Sequence, residues 1–270
     1  MNARLVICAD DVGRSAAINE AVLSLAHRGK LTAASVMVNE PFAAVATEDL
    51  LAISGFQIGL HVTLTDALAP SELGMPDGAL LSTIDRLTFD AFRGRLPPFD
   101  AEITRQFEKF QFLFGRLPDF VDAHQHAHLL PGIRKAVLDV TARQSGKIWV
   151  RSCEDSFLAI ARRGGDRIRA WRSAWLSRGM TRDAAERGLV TNDGFAGLYA
   201  LQSAGSYSNR FPSFLRHAAS RTHLVIVHPA IAEEPGDEIG PARVDEFHYL
   251  MNAPVKEMAA REGLVVGGFQ

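Results

Sequence analysis

Short apolar runs alternate along this chain with longer segments in which apolar residues recur every three or four positions. The runs are typical of buried strands, and they cover residues 4–9, 33–38, 56–64, 120–123, 148–151, 224–227 and 264–268. The periodic segments predict helices over residues 15–29, 41–53, 100–115, 131–144 and 244–262. Strands that alternate with helices favour a parallel sheet with helices packed outside it. The pattern therefore predicts an α/β protein, and a closed or partly closed (β/α) barrel of about seven strands suits it better than an open sheet.

Single residues predict several helix boundaries. Ser15 and Asp100 are expected to cap two of the helices, because their side-chain oxygens accept hydrogen bonds from free backbone N–H groups. Gly115 is expected to end the second of these, since glycine adopts the left-handed conformation at little cost. Pro254 must kink or divide the helical stretch 244–262, because proline has no N–H to donate.

Two regions interrupt the alternation. Residues 65–98 hold four prolines and three glycines and predict a long, variable loop at the active site or an insertion. Residues 156–190 are rich in arginine, alanine and tryptophan and predict a helical insertion. Trp171 and Trp175 are four positions apart in it, which fits a lid, a subunit contact or core packing. No linker or repeat divides the chain, so residues 1–270 are predicted to form a single domain.

Composition excludes several classes of protein. Of 270 residues, 47% are hydrophobic and 22% charged, and the net charge is -2, so we expect a soluble protein with no nucleic-acid partner. No apolar run reaches the roughly 18 residues that a membrane span needs, so we expect no integral membrane segment. Cys8 and Cys153 are too few for a disulfide framework, and the N-terminus lacks a signal-peptide pattern. These features predict a cytoplasmic location.

Three polar clusters follow apolar runs and carry the candidate chemistry. Asp10 and Asp11 follow the first run, His61 lies in the third, and the segment 122–128 follows the fourth. Unpaired charges are costly at the ends of buried strands. If the three ends converge, one aspartate and two histidines can share a metal ion, and the remaining carboxylate can act as a base. The clusters therefore predict a metal-dependent hydrolase.

Each of these residues also has a simpler interpretation. A lone aspartate at a strand end is more often a helix cap, and a lone histidine such as His61 is more often hydrogen-bonded in a core. The adjacent pair of Asp10 and Asp11 favours a site, because two carboxylates at a buried edge repel unless a cation intervenes. Catalytic residues of α/β barrels gather at the C-terminal ends of strands, where Asp10, Arg151 and His228 are all predicted to lie.

The histidine run would place His124, His126 and His128 on one face if the strand continued through it. Pro131 and Gly132 indicate that the chain is already turning, so all three need not bind one ion. Two histidines and one aspartate favour zinc or another transition metal without excluding magnesium.

His228 and Arg151 complete the candidate set. His228 ends a buried run and could be a general acid, because the pKa of imidazole lies near neutral pH, or it could be structural. Arg151 could hold a carboxylate, orient the base or lie at the surface.

Five ordered motifs resemble those of the YdjC-like carbohydrate deacetylases. They are residues 9–13, 31–39, 59–65, 121–128 and 228–230, and the resemblance runs from residue 4 to the C-terminus but is weak across 156–220. It implies a distorted (β/α) barrel related to the polysaccharide deacetylases. Val12 stands where the family often has phenylalanine and Ala123 where it often has serine, and neither change removes a ligand.

The resemblance also implies roles for individual residues. Asp10 would be the catalytic base, and His228 would line the pocket and protonate the leaving amine. One divalent metal ion, zinc or magnesium, would be held by Asp11, His61 and His124. The candidate substrate-binding residues are His126, His128 and Arg151, of which the two histidines could instead support the site from behind.

The expected reaction is metal-dependent removal of N-acetyl groups from an amino sugar, either a chitooligosaccharide or glycolipid-linked N-acetylglucosamine. Two alternatives are a metal-dependent amide or phosphoester hydrolase with a non-sugar substrate and a catalytically inactive sugar-binding relative. A homodimer is also compatible with the sequence.

Overall fold

The computed structural model describes residues 3–65, 83–163, 166–201, 207–218 and 221–269. Its strands are β1 (Ala3–Val12), β2 (Ala33–Val36), β3 (Gln57–Val62), β4 (Phe120–Ala123), β5 (Trp149–Val150), β6 (Val190–Thr191), β7 (Gly194–Ala196), β8 (Thr222–Val227) and β9 (Leu264–Val266). Its helices are α1 (Ala16–His27), α2 (Thr47–Leu51), α3 (Ile84–Phe92), α4 (Asp100–Phe114), α5 (Ile133–Ala142), α6 (Phe157–Arg163), α7 (Arg167–Leu176), α8 (Met180–Ala185), α9 (Tyr207–Leu215), α10 (Gly240–Asn252) and α11 (Val255–Arg261). A 3-10 turn spans His124–Leu129.

The strands form one parallel sheet that closes on itself. Its order is β6-β5-β4-β3-β2-β1-β8-β7, with β9 also paired to β1. β6 and β7 are joined by only two residues, yet β6 pairs with β5 and β7 pairs with β8. The bent segment 190–196 therefore bonds to both edges of the sheet and makes it a barrel. If this segment counts as one strand, the predicted distorted barrel of about seven strands is confirmed.

Alternate strand residues divide the core into two layers. On β1, Leu5, Ile7 and Ala9 pack in the cluster that holds the buried faces of the helices. Val6 and Cys8 point the other way, into a cluster built from strands around the whole sheet. Because both faces of the sheet are buried, the strand sequences are continuous apolar runs and do not alternate between apolar and polar residues.

Most helix boundaries agree with the sequence. The Ser15 hydroxyl accepts a hydrogen bond from the Ile18 N–H at 3.2 Å and so caps α1 as predicted. Gly115 ends α4 with a φ of 65°, also as predicted. Asp100 is instead the first residue of α4, after an N-cap at Phe99. Proline 254 divides the last helical stretch into α10 and α11.

Other predictions need correction. The helix predicted over 41–53 is confined to α2, and turns precede it. The predicted loop 65–98 contains α3, while residues 66–82 lie outside the described part of the chain. The region 156–190 contains the helices α6, α7 and α8, as its composition predicted, and its assignment as an insertion stays a prediction. The single-domain assignment stays a prediction. Among the described residues, no helix combines the length and apolar content that crossing a bilayer requires.

Gly59 on β3 makes room for an aromatic ring of the barrel interior. A Cβ atom at Gly59 would lie 2.3 Å from Cε2 of Phe120, whose ring stacks on Trp149 with centroids 4.4 Å apart. The ring therefore occupies the space that a side chain at position 59 would fill.

We predict that Gly59→Ala lowers the free energy of unfolding by about 1–3 kcal/mol, because the added methyl group must displace the Phe120 ring. Urea denaturation measures the change. Gly240→Ala is the matched control, since its Cβ would meet no atom closer than 3.4 Å. Equal stability of the Gly59→Ala variant and the wild type would contradict this packing.

Candidate active site

The chemistry of the site arises from the same alternation that builds the barrel interior. Polar residues at the C-terminal ends of the strands follow interior residues by two positions and so share their direction. The pairs are Cys8 and Asp10, Ala33 and Ser35, Gly59 and His61, Phe120 and Asp122, Trp149 and Arg151, and Ile226 and His228. The strand ends thus bring these side chains into one cluster, in which Asp10, His61, Arg151 and His228 were predicted to lie.

Asp11 joins this cluster through an irregular backbone. Its φ is 66°, in the left-handed region that non-glycine residues rarely adopt, and the register between β1 and β2 shifts between Ala9 and Val12. Both Asp10 and Asp11 consequently line the same cavity although they are adjacent in sequence. Such strain is typical of functional sites.

Asp11, His61 and His124 are arranged as a candidate metal site. One ligand atom from each lies within 4.8 Å of the other two. Oδ1 of Asp11 is 3.5 Å from Nε2 of His61 and 3.0 Å from Nδ1 of His124. The Arg243 guanidinium donates to Oδ2 of Asp11 at 2.6 Å, which leaves Oδ1 directed at the two imidazoles. This donor set fits a divalent cation with open positions for other ligands.

Asp122 orients His61 from behind. Nδ1 of His61 lies 2.5 Å from Oδ1 of Asp122, which also accepts a hydrogen bond from the Ser35 hydroxyl at 2.5 Å. A carboxylate on one ring nitrogen directs the other nitrogen at the site, as is usual for metal-binding histidines. Burial lowers the pKa of His61, but Asp122, Asp11 and Asp10 outweigh it and raise this pKa to about 10.

A buried arginine holds the second carboxylate. The Arg151 guanidinium donates to both oxygens of Asp10, at 2.6 and 2.7 Å, and forms an ion pair with Asp122 at 2.5 Å. Burial raises the pKa of Asp10, but Arg151 more than compensates and keeps this pKa well below its usual range. Arg151 therefore holds a carboxylate, and the surface alternative is wrong because the side chain is fully buried.

His228 lies beside Asp10 in the site. Its Nε2 lies 3.9 Å from Oδ2 of Asp10, and it lines the cavity. Burial lowers the pKa of His228, and the two aspartates offset part of that shift. The Glu246 carboxylate accepts the backbone N–H of His228 at 2.5 Å and the Tyr199 hydroxyl at 2.7 Å. Helix α10 thus fixes the backbone at His228.

The histidine run does not continue the strand, so the three side chains do not share one face. β4 ends at Ala123, and Gln125 and His126 have φ values of 52° and 57° in the turn that follows. His124 points to Asp11, while the His126 ring packs edge-on against Phe195.

A cavity of about 550 Å³ opens over these residues, and His126 is part of its lining. His128 is fully buried, its Nε2 donating to the Arg151 carbonyl at 3.1 Å, and neither His128 nor Arg151 lines the cavity. Direct contact with substrate, which we predicted for these two, does not fit this placement. The other wall of the cavity includes Arg169 and Arg172 of α7.

Four supporting residues were missed in the sequence. Asp122 and Ser35 could have been found, because each continues the alternation of an apolar strand by one more interior position. Arg243, Glu246 and Leu250 recur at spacings of three and four and are all buried. Charged residues on the buried face of a helix are thus the signal that could have identified Arg243 and Glu246.

Residues 4–261 match the family model described as YdjC-like protein. The match spans most of the chain, so this protein belongs to the YdjC-like family, which confirms the resemblance seen in its motifs.

Relatives of this chain are named as deacetylases. The chitooligosaccharide deacetylase of Proteus mirabilis is 23% identical over 98% of this chain and 97% of that protein. The carbohydrate deacetylase of Mus musculus is 34% identical over 48% of this chain and 44% of the mouse protein. A chitooligosaccharide deacetylase of Enterobacter is 32% identical over 53% of this chain and 58% of its own length. The last two alignments therefore span about half of each relative.

The fold is also that of a solved structure. A protein from Enterococcus faecalis, described as proposed to cleave cellobiose phosphate, superposes with a TM-score of 0.73. The alignment covers 99% of this chain and 98% of that one at 17% identity. At this identity the likeness concerns the fold alone.

We predict that Arg151→Met lowers the free energy of unfolding by roughly 3–5 kcal/mol, because it leaves Asp10 and Asp122 buried without their cation. Chemical denaturation measures this loss. Arg187→Met is the matched control, since Arg187 pairs with Asp139 where both are partly exposed, and it should cost at most about 1 kcal/mol. Similar losses of unfolding free energy in both variants would contradict the claim that the buried Arg151 ion pairs stabilise the fold more than an exposed pair does.

Glu246 gives a pH-dependent prediction. Burial raises its pKa from 4.5 to about 7, so the folded state binds this proton more tightly than the unfolded state. The contribution of Glu246 to the free energy of unfolding is therefore largest below about pH 4.5 and is lost as the pH rises through about 7. Relative to Glu246→Gln, the wild type should lose on the order of 3 kcal/mol of unfolding free energy across this window. A constant difference between the two proteins from pH 4.5 to 8 would contradict the raised pKa.

Proposed function

We propose that this protein is a metal-dependent hydrolase that removes the N-acetyl group from an amino sugar. The observation that carries the proposal is the juxtaposition of an ionised Asp10, the Asp11–His61–His124 ligand set and His228 in one cavity. The names of the relatives support deacetylation of a carbohydrate. Chitooligosaccharides or glycolipid-linked N-acetylglucosamine are the substrates we propose.

Asp11, His61 and His124 would hold one divalent ion, zinc or magnesium. Such an ion polarises an amide carbonyl and lowers the pKa of a water molecule. Arg243 and Asp122 support the ligand set by fixing the orientation of Asp11 and His61.

Asp10 would accept a proton from the attacking water. Arg151 keeps it ionised. Oδ1 of Asp10 also accepts from the Cys8 thiol, whereas Oδ2 retains a second lone pair beside the one that Arg151 occupies. A base with so low a pKa removes a proton only from an acidified water, so Asp10 and the metal site must act together. Arg151 would thus be a positioning residue for Asp10.

His228 would supply the proton that the departing amine needs. Its Nε2 lies 3.9 Å from Oδ2 of Asp10 and lines the same cavity, so both groups lie within reach of one bound amide. The water oxygen forms the new bond to the acetyl carbon, the C–N bond breaks, and acetate and the free amine leave. His126 lines the cavity and is our remaining candidate for contact with the substrate.

The alternatives receive less support. A two-metal phosphoester hydrolase needs a second cation site, and the described residues offer Cys8, Asp10 and Asp122 for it. The Arg151 guanidinium contacts all three residues and thus already provides the positive charge that a second metal ion would bring. An inactive relative is disfavoured because the base and the three ligands are all present. The cytoplasmic location and the homodimer stay predictions.

We predict that Asp10→Asn lowers acetate release from N-acetylglucosamine oligomers by roughly a hundredfold to ten-thousandfold while the protein still binds its metal. His124→Ala should lose both activity and metal, because it removes one of three ligands. Acetate assays combined with metal analysis of the purified variants measure both effects.

His248→Ala is the matched control, since His248 is exposed on α10 and should keep both properties. Near-wild-type turnover by Asp10→Asn would overturn its role as the base. Full metal content in His124→Ala would overturn the ligand set.

A further inference from the structure

Helix α7 presents two different faces beside the mouth of the active-site cavity. Arg169, Arg172 and Leu176 line the cavity. On the adjacent face, Ile168, Trp171 and Trp175 recur at spacings of three and four and are exposed, with Ile168 at 80% and Trp175 at 53%. An apolar stripe that includes two tryptophans is therefore turned away from the core, although a soluble helix normally buries such a face.

Helix α3 continues this stripe at the same mouth. Ile84 and Thr88 line the cavity, and the exposed Phe89 and Phe92 follow them. The Phe92 ring stacks on Trp175 with centroids 6.2 Å apart and 24° between the planes. We call the five exposed apolar residues of α3 and α7 the aromatic rim: Phe89, Phe92, Ile168, Trp171 and Trp175.

Positive charge accompanies the aromatic rim. Residues 166–178 contain four arginines and one aspartate, which is a net charge of +3 in a chain whose total is -2. On α3, the Arg93 guanidinium lies 4.5 Å from the centre of the Phe89 ring. Tryptophan and arginine on one exposed surface are typical of helices that lie at the interface of an anionic bilayer.

Other occupants fit this surface less well. A symmetric contact between two copies would place the arginines of one rim against those of the other. An acetylated sugar chain is uncharged and would leave the positive charge of this surface without a complement. An anionic bilayer complements both the aromatic residues and the charge.

We propose that the aromatic rim docks this protein onto the surface of lipid bilayers that carry anionic headgroups. The indole and phenyl rings would enter the headgroup region while Arg167 and Arg178 pair with lipid phosphates. Because the rim borders the mouth, docking would turn the cavity toward the lipid surface. The proposal does not depend on the reaction, since it concerns binding alone.

Vesicle sedimentation tests the proposal with the full chain. We expect binding to vesicles of phosphatidylcholine and phosphatidylglycerol, little binding to phosphatidylcholine alone, and release by added salt. The variant with both Trp171→Ala and Trp175→Ala should bind at least about tenfold more weakly. The variant with both Arg167→Gln and Arg178→Gln should bind more weakly and lose much of the salt dependence.

The matched control carries Lys109→Gln and Phe112→Ala on α4. Phe112 is 85% exposed, and it lies in the last turn of α4, which leads to the start of β4 and so to the opposite end of the barrel. This variant should bind vesicles like the wild type. Trp171 and Trp175 do not line the catalytic cavity, so acetate release from soluble oligomers should survive their replacement.

Tryptophan fluorescence gives a second readout. Trp149 is buried, so a blue shift on adding anionic vesicles reports Trp171 and Trp175. Equal binding to neutral and anionic vesicles, or equal loss in the α4 control, would overturn the proposal. A blue shift that chitin oligomers cause and vesicles do not would overturn the proposal and indicate a sugar-binding surface. A blue shift that accompanies self-association of the protein would overturn it and indicate a dimer contact.

Discussion

The ion pairs of Arg151 with Asp10 and Asp122 are the interaction on which the rest of the site depends. All three groups are buried, and burial alone would favour neutral carboxylic acids. The guanidinium bonds both oxygens of Asp10 and keeps this carboxylate charged in the barrel interior, and it also forms an ion pair with Asp122. Asp122 in turn orients His61. One cation thereby links the candidate base to the candidate metal site.

A second arginine separates the roles of two adjacent aspartates. Arg151 takes both oxygens of Asp10, whereas Arg243 takes only Oδ2 of Asp11 and leaves Oδ1 facing the imidazoles of His61 and His124. Two residues with the same side chain thus acquire different surroundings, and our proposal gives one to proton transfer and the other to metal binding. The left-handed backbone at Asp11 makes this division possible.

The sequence predicted the barrel and the convergence of the strand ends because both follow from local periodicity. Continuous apolar runs indicate strands buried on both faces, and the polar residue that ends each run inherits the direction of the interior residues. β6 and β7 were missed, since the polar residues 191–193 interrupt the apolar run from which a strand would be recognised. Arg243 and Glu246 reach the site from α10, far along the chain, so only the fold brings them there.

The aromatic rim is another feature that the sequence alone could not establish. The spacing of Trp171 and Trp175 indicated a helix but did not decide between a lid, a subunit contact and core packing. Only the packing of α7 shows that its arginines line the cavity while its tryptophans face outward.

Our central claim is that Arg151 takes the place of a second cation and leaves the site with one metal ion. Stepwise addition of zinc or magnesium to metal-stripped protein, with acetate release from N-acetylglucosamine oligomers as the readout, tests it most directly. We predict that activity rises linearly and saturates at one equivalent per chain. Saturation at two equivalents, or full activity in the stripped protein, would contradict the account.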